Sequence, residues 1–189
     1  MTDEAASTEV HALLEVPGAE RAAALERWLA AQPDAARAAR ILARTLATMD
    51  AELSDFLDAE RLRFPLDAAA EQGADTAIKA ELWAHASASS LITGEGADIP
   101  YGYARRAART NPASEMAWAA VIESLNSDNT DFLGDDLETW IHLARQGTVP
   151  VEMVKRVFAG ACTIAKQQRW SDADLAVLER LKPLVAEIQ

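Results

Sequence analysis

Apolar residues recur every three or four positions along most of this chain, which is the spacing of an amphipathic α-helix. In the segment 34–49, for example, Ile41, Leu42, Thr45 and Leu46 fall on one stripe. No stretch alternates apolar and polar residues as a half-buried strand would. The pattern therefore predicts an all-α protein.

Prolines, glycines and capping residues divide the chain into about nine predicted helices. Asn111 is expected to cap one of them, with Pro112 in its first helical position. Pro183 is expected to kink or shorten the last helix. Among the predicted helices are 8–15, 51–64, 101–110, 113–125, 135–146 and 171–188, and residues 65–73 are predicted to form a turn or partial helix.

The connections between these helices are short, so neighbouring helices are expected to pack antiparallel. The predicted architecture is a set of antiparallel helical hairpins that forms either a bundle or a short right-handed α-solenoid. No linker is long enough to require a second domain, so residues 1–189 are predicted to form a single all-helical domain.

A local similarity between two parts of the chain predicts an internal duplication. The segments Glu81-Leu82-Trp83-Ala84-His85 and Glu138-Thr139-Trp140-Ile141-His142 lie 57 residues apart. The predicted units span about residues 75–130 and 132–188. Chance matches within an alanine-rich helical sequence are the alternative explanation.

The region around Asn111-Pro112 carries a second pattern of this kind. Trp118 follows the proline by six positions, and Ala107 precedes it by five. This arrangement resembles the junction between two tetratricopeptide units, in which a proline ends one helical hairpin and an aromatic residue packs in the next. The match covers some twenty residues, and Ile122 stands where the family has a small residue. The resemblance implies an array of helical hairpins.

The composition agrees with close-packed helices and adds a strong negative charge. Alanine dominates the apolar half of the chain, and it is the best helix former and a poor strand residue. The formal net charge of −12 argues against direct binding to nucleic acid or anionic lipid, because phosphate groups select for basic surfaces. Such a charge is typical either of a well-solvated surface or of a surface that binds a basic partner.

The compartment is predicted from the cysteine and from the N-terminus. Cys162 is the only cysteine and lies in an apolar stretch, so it cannot form an internal disulfide and suits a reducing environment. The acidic N-terminus lacks the basic and apolar regions of a signal peptide. No run of about eighteen apolar residues is present. A cytoplasmic location is therefore predicted.

The paired Glu-x-Trp-x-His segments are the sharpest candidate for chemistry. Glu81 and His85 are one helical turn apart, as are Glu138 and His142, so the four side chains could supply ligands to a metal ion in a bundle. The tryptophan of each segment points about 200° away from both partners. If the tryptophans face the core, the Glu and His side chains are expected to face water, which favours a pair of surface contacts over a metal site.

One basic and aromatic cluster stands out in this acidic chain. It comprises Tyr101, Tyr103, Arg105, Arg106 and Arg109, and Arg105 and Arg109 share a helix face. Such a cluster is predicted to bind a carboxylate or phosphate group of a partner. The alternative is a solvated helix face that neutralises neighbouring acids.

Two acidic segments are weaker candidates. The segment 126–131 begins like a calcium loop, but Asp131 and Leu137 stand where the turn glycine and the bidentate glutamate are required. The second segment is expected to form a solvated face, and its acidic residues are Asp50, Glu52, Asp55, Asp58 and Glu60.

The sequence contains no nucleotide-binding loop, nucleophile elbow or Cys-x-x-Cys motif. The resulting prediction is a non-enzymatic protein–protein interaction module, such as an adaptor, scaffold or inhibitor with an acidic surface, that needs no cofactor. A helical-bundle enzyme or metal-binding protein that uses the paired Glu and His residues is the alternative prediction.

Overall fold

The structure, a computed structural model, describes residues 2–16, 20–48, 62–72, 75–92, 96, 98–126 and 130–188. These residues form ten α-helices and no β-strand, which confirms the all-α prediction. The helices are α1 (Asp3–Leu14), α2 (Glu20–Ala31), α3 (Ala35–Thr48), α4 (Arg63–Gln72), α5 (Thr76–Ile92), α6 (Asp98–Thr110), α7 (Glu115–Glu123), α8 (Thr130–Arg145), α9 (Val151–Gln168) and α10 (Asp172–Glu187).

Each helix packs against helices one or two places away in the order given above. Helix α3 contacts α1, α4 and α5; α5 contacts α3, α4, α6 and α7; and α9 contacts α7, α8 and α10. The buried apolar side chains form a core that includes residues of all ten helices. These contacts are those of a helical bundle, and the finer solenoid architecture and the internal duplication stay predictions.

Alanines and tryptophans fill the core in complementary ways. Small alanine side chains let helices approach closely, and the large indoles fill the remaining space. Trp118 of α7 and Trp140 of α8 are both buried and meet edge to face, with ring centroids 5.0 Å apart. The Trp118 indole N–H also donates to the carbonyl oxygen of Pro112 at 2.8 Å. This contact fixes α7 against the turn that precedes it.

Several helices begin earlier than the sequence pattern indicates. Helix α1 begins at Asp3 instead of residue 8, because the Thr2 hydroxyl accepts a hydrogen bond from the Ala5 backbone N–H and caps the helix. Residues 65–73 were expected to form a turn or partial helix, and residues 65–72 lie in α4, which includes Pro65 in its first turn. Proline is tolerated there because the first-turn N–H groups have no acceptor within the helix. Pro100 occupies the same position in α6.

The capping prediction for Asn111 is wrong. Ser114, and not Asn111, caps α7 by accepting from the Ala117 N–H at 3.2 Å. Asn111 instead accepts from the Ala113 N–H within the preceding turn. Helix α10 continues through Pro183 to Glu187, so the proline does not shorten it, and the expected kink stays a prediction.

Some predictions fall outside the described residues. These are most of the helix expected at residues 51–64, the acidic residues of that segment and the middle of the loop at 126–131. None of the helices in the described ranges is both long enough and apolar enough to cross a membrane.

Candidate functional site

Helix α6 divides the basic and aromatic cluster between two of its faces. Tyr101, Arg105 and Arg109 are spaced four residues apart and form one stripe that meets α8. Arg106 lies on another face and meets α4 and α5. Tyr103 is half-buried and lines a surface cleft with Asp98.

The first stripe surrounds a buried carboxylate, Asp136 of α8. Only 1% of the Asp136 surface is exposed. Its Oδ2 accepts from the Tyr101 hydroxyl at 3.0 Å, and its Oδ1 accepts from Nη2 of Arg105 at 3.0 Å and from Nη2 of Arg109 at 2.5 Å. The Arg105 Nε lies 3.0 Å from Oδ2 without the alignment of a hydrogen bond. Three donors from α6 therefore converge on one carboxylate of α8.

The electrostatics of this cluster follow from its burial. Burial raises the pKa of the Tyr101 hydroxyl, and the charge and hydrogen bond of Asp136 raise this pKa further. Tyr101 therefore stays protonated and serves as a donor. Two guanidinium groups share one carboxylate, which leaves an excess positive charge on the outer side, where the Arg109 side chain is 49% exposed.

The outer side of the cluster carries an exposed aromatic ring. The Arg105 guanidinium lies 5.6 Å from the ring centre of Phe132 and 5.9 Å from that of Tyr101. Phe132 is 48% exposed. The guanidinium is thus held between two rings in addition to its ion pair, an arrangement that restricts its rotamers.

The second face of α6 carries a separate cluster around Arg106. Its guanidinium lies 4.1 Å from the ring centre of Trp83. The same group pairs with Asp67, at 3.4 Å, and with Glu71 of α4. The Trp83 indole N–H also donates to Asp67 at 2.9 Å. This cluster joins α4, α5 and α6.

We expect the Arg106→Gln substitution to lower the free energy of unfolding by about 1 kcal/mol, because the ion pairs and the ring contact are partly exposed to water. Urea unfolding measures the change. Arg27→Gln, on an exposed position of α2, is the control and should have almost no effect. A loss of several kcal/mol for Arg106→Gln would contradict this interpretation.

The structure thus does not bring the five residues of the predicted contact patch onto one surface. The Tyr101 side chain is enclosed, and the arginines hold carboxylates of the chain itself. Their contact with a partner stays a prediction.

The sequence analysis did not identify Asp136 as part of this cluster. Its position in the helical repeat could have indicated that it is buried, because it lies three residues after Leu133 and four before Trp140, on the inner stripe of α8.

The four residues of the metal alternative lie in different environments. His142 is exposed and its Nε2 lies 2.9 Å from Nε2 of Gln146, whereas Glu138 pairs with Arg180. Across the part of the chain that the structure describes, no three His, Cys, Asp or Glu side chains are close enough to hold a metal ion.

The expectation that His85 faces water is wrong. Trp83 and Trp140 are buried, as the geometric argument assumed, but His85 is also buried, with 5% of its surface exposed. The reason is that α5 contacts four other helices, so the face opposite Trp83 is covered too.

His85 has no hydrogen-bond partner at Nε2 among the described residues. Burial lowers the pKa of its imidazole to about 4, so the side chain is neutral at neutral pH. An unpartnered polar atom in a protein interior is uncommon and costs free energy. His85 also lines a cleft of about 210 Å³ between α5 and α7.

Two further features are an apolar groove and a partly buried thiol. A larger apolar groove of about 310 Å³ lies between α2, α3 and α4, and it includes Leu29, Pro65 and Phe64, whose side chain is 48% exposed. Cys162 is partly buried, and burial raises the pKa of its thiol, so it is a weak nucleophile.

The network around Asp136 joins helices, and the cleft beside His85 presents an unused polar atom. The chain matches no protein-family model, no curated protein and no solved structure.

Proposed function

We propose that this protein is a protein–protein interaction module that binds a partner through an acidic surface, and that the partner contributes a basic surface. The observation that supports the proposal is that the chain is strongly acidic and pairs many of its cations with its own carboxylates. Its net charge is −12, and six of its arginines hold carboxylates of the same chain. These arginines are Arg37, Arg105, Arg106, Arg109, Arg145 and Arg180.

The net charge already counts these cations, so twelve negative charges remain after every arginine and lysine is balanced by a carboxylate. The excess carboxylates therefore generate a negative potential that attracts a basic partner and speeds its association. The acidic excess lies in the N-terminal three quarters of the chain, because seven basic and five acidic residues follow Ala144. The partner is accordingly expected to bind before α9.

Exposed apolar side chains support the same proposal. Phe64, Ile92, Met116 and Phe132 each expose more than a third of their surface. An interface needs apolar contacts at its centre and complementary charges around them. Both kinds of group are present on this part of the chain.

Affinity capture from the host tests the proposal. We expect the tagged protein to retain a stoichiometric basic partner at about 0.05 M salt and to release it at about 0.5 M, because salt screens charge pairs between surfaces. An unrelated acidic protein with a similar net charge is the control for simple ion exchange. The absence of any stoichiometric partner at low salt would refute the proposal, as would a partner whose retention does not change with salt.

A further inference from the structure

The cleft between α5 and α7 combines an apolar wall with polar groups that accept hydrogen bonds. Helix α5 contributes His85, and α7 contributes Glu123 at an exposed position. The remaining lining residues are apolar: Ala84, Ala88, Met116, Ala119 and Ala120. The lining residues that the structure describes include no lysine or arginine, and His85 is neutral at neutral pH, so a positive charge within the cleft would meet no like charge there.

A second carboxylate lies on the face of α5 that carries His85. Glu81 is one turn before His85 on α5, so the two side chains share a face. Glu81 is half-buried, and burial together with the charge of Asp75 raises the pKa of its carboxyl. A raised pKa means that the environment disfavours the negative charge. A cation bound at this end of α5 would relieve that unfavourable interaction.

We propose that this cleft binds one lysine side chain of the basic partner. The methylene groups of the lysine lie against the alanines, and its ammonium group donates to the Glu123 carboxylate and to Nε2 of His85. This inference rests on the proposed function, because the lysine belongs to the partner that the acidic surface attracts.

The chemistry of the lining favours lysine over other side chains. A lysine side chain buries its alkyl stem along apolar surface and keeps its charged head near acceptors. The ammonium group is compact and has three donors that can rotate towards separate acceptors such as Glu123 and His85, whereas the guanidinium of arginine is larger and holds its donors in one fixed plane. A carboxylate or phosphate group would be repelled by Glu123. Neutral His85 adds an acceptor without adding a positive charge.

Access to His85 requires a small rearrangement. The Nε2 atom of His85 is buried, so a hydrogen-bond donor can reach it only after a lining side chain moves. Met116 is 39% exposed and belongs to the lining. Methionine is unbranched and flexible, so it is the side chain that adapts at least cost.

Pentylamine, a mimic of the lysine side chain, tests the inference in the full-length protein by NMR titration. We expect saturable shifts at His85, Ala88 and Ala119, with a dissociation constant of about 1–10 mM, as is usual for so small a ligand. Pentan-1-ol is the neutral control and should bind much more weakly. Equal binding of the alcohol would show a merely apolar cleft and would overturn the inference, as would the absence of saturable shifts.

Two substitutions locate the binding. Glu123→Gln should weaken pentylamine binding about tenfold, because it removes a charge-assisted hydrogen bond. Ala119→Leu should abolish binding by filling the cleft. Both residues are at least partly exposed, so both variants are expected to fold, which circular dichroism verifies. Unchanged affinity in both variants would place the amine elsewhere and refute the inference.

The free amine separates this inference from the proposed function. If capture yields a basic partner but pentylamine does not bind, the lysine cleft is wrong and the interaction module stands. If pentylamine binds the cleft but no partner is captured, the amine pocket is real and the proposed function fails. In that case the inference that the cleft binds a partner's lysine fails as well, because it rests on the proposed function.

Discussion

We expect the Asp136→Ala substitution to lower the free energy of unfolding by about 3 kcal/mol, which corresponds to roughly 6–12 °C in melting temperature for a chain of this size. The substitution leaves the Tyr101 hydroxyl without its acceptor inside the protein and leaves two guanidinium groups without their carboxylate. Arg105 and Arg109 are partly exposed and can turn towards water. The loss is therefore at the lower end of the range for a broken buried pair. Chemical denaturation measures it.

The neighbouring residue provides a matched control. Asp135 is exposed, so Asp135→Ala removes the same charge one position away and should change stability by less than about 0.5 kcal/mol.

Tyr101→Phe should lower the free energy of unfolding by about 1 kcal/mol, because it removes one neutral donor. Combining Tyr101→Phe with Asp136→Ala should cost less than the sum of the two changes. Strict additivity, or equal effects at Asp135 and Asp136, would contradict the network.

The second large effect is an acid-induced loss of stability through His85. Burial lowers the pKa of His85 in the folded protein to about 4, whereas an unfolded histidine titrates near 6.5. Between these values the unfolded chain binds more protons, so stability decreases as the pH falls. The stability that depends on keeping His85 neutral amounts to about 3 kcal/mol. It is fully present above about pH 6.5 and is lost by about pH 4.

The difference between wild type and His85→Leu isolates this contribution from the carboxylates that also titrate in acid. Leucine cannot be protonated and removes the unpartnered nitrogen, so we expect the variant to be at least as stable as wild type at pH 7. Its advantage should grow by about 3 kcal/mol between about pH 6.5 and pH 4. The exposed counterpart, His142→Gln, is the control for replacing a histidine. A constant difference for His85→Leu across this window would refute the prediction.

These two residues bear differently on the proposed function. Asp136 of α8 pairs with residues of α6 and therefore stabilises the fold. Its substitution is expected to weaken partner binding only by lowering the fraction of folded protein. His85 lines the cleft between α5 and α7. Its substitution is expected to leave the fold intact and to alter the binding of an amine.

Local patterns in the sequence predicted the helices well and their first residues less well. The stripe of Ile41, Leu42 and Thr45 is buried as the helical periodicity indicated. The start of α1 was missed because a capping threonine at residue 2 extends the helix beyond its apolar pattern. The start of α4 was missed because Pro65 was interpreted as a residue that ends a helix. In the first turn, however, a proline does not disturb the helix, because no backbone hydrogen bond is lost there.

The sequence was least informative for the basic and aromatic cluster. Its five residues are close in sequence, but a helix distributes neighbouring residues around its axis, so Arg105 and Arg106 meet different partners. Arg105 pairs with Asp136, whereas Arg106 lies over Trp83. The partners are 31 and 23 residues away. No local pattern identifies such pairs.

The sequence by itself therefore determined that this protein is helical and acidic, and that Trp83 and Trp140 lie on the opposite helix face from the Glu and His of their segments. Only the tertiary structure decided that both tryptophans and His85 are buried, that Nε2 of His85 has no partner among the described residues, and that Asp136 is buried and fully engaged. The physical reason is that helical periodicity shows which side chains share a face, but not how many neighbouring helices cover that face. Helix α5 is covered on several sides, so a histidine that the periodicity predicted to face water is buried in a cleft between two helices instead.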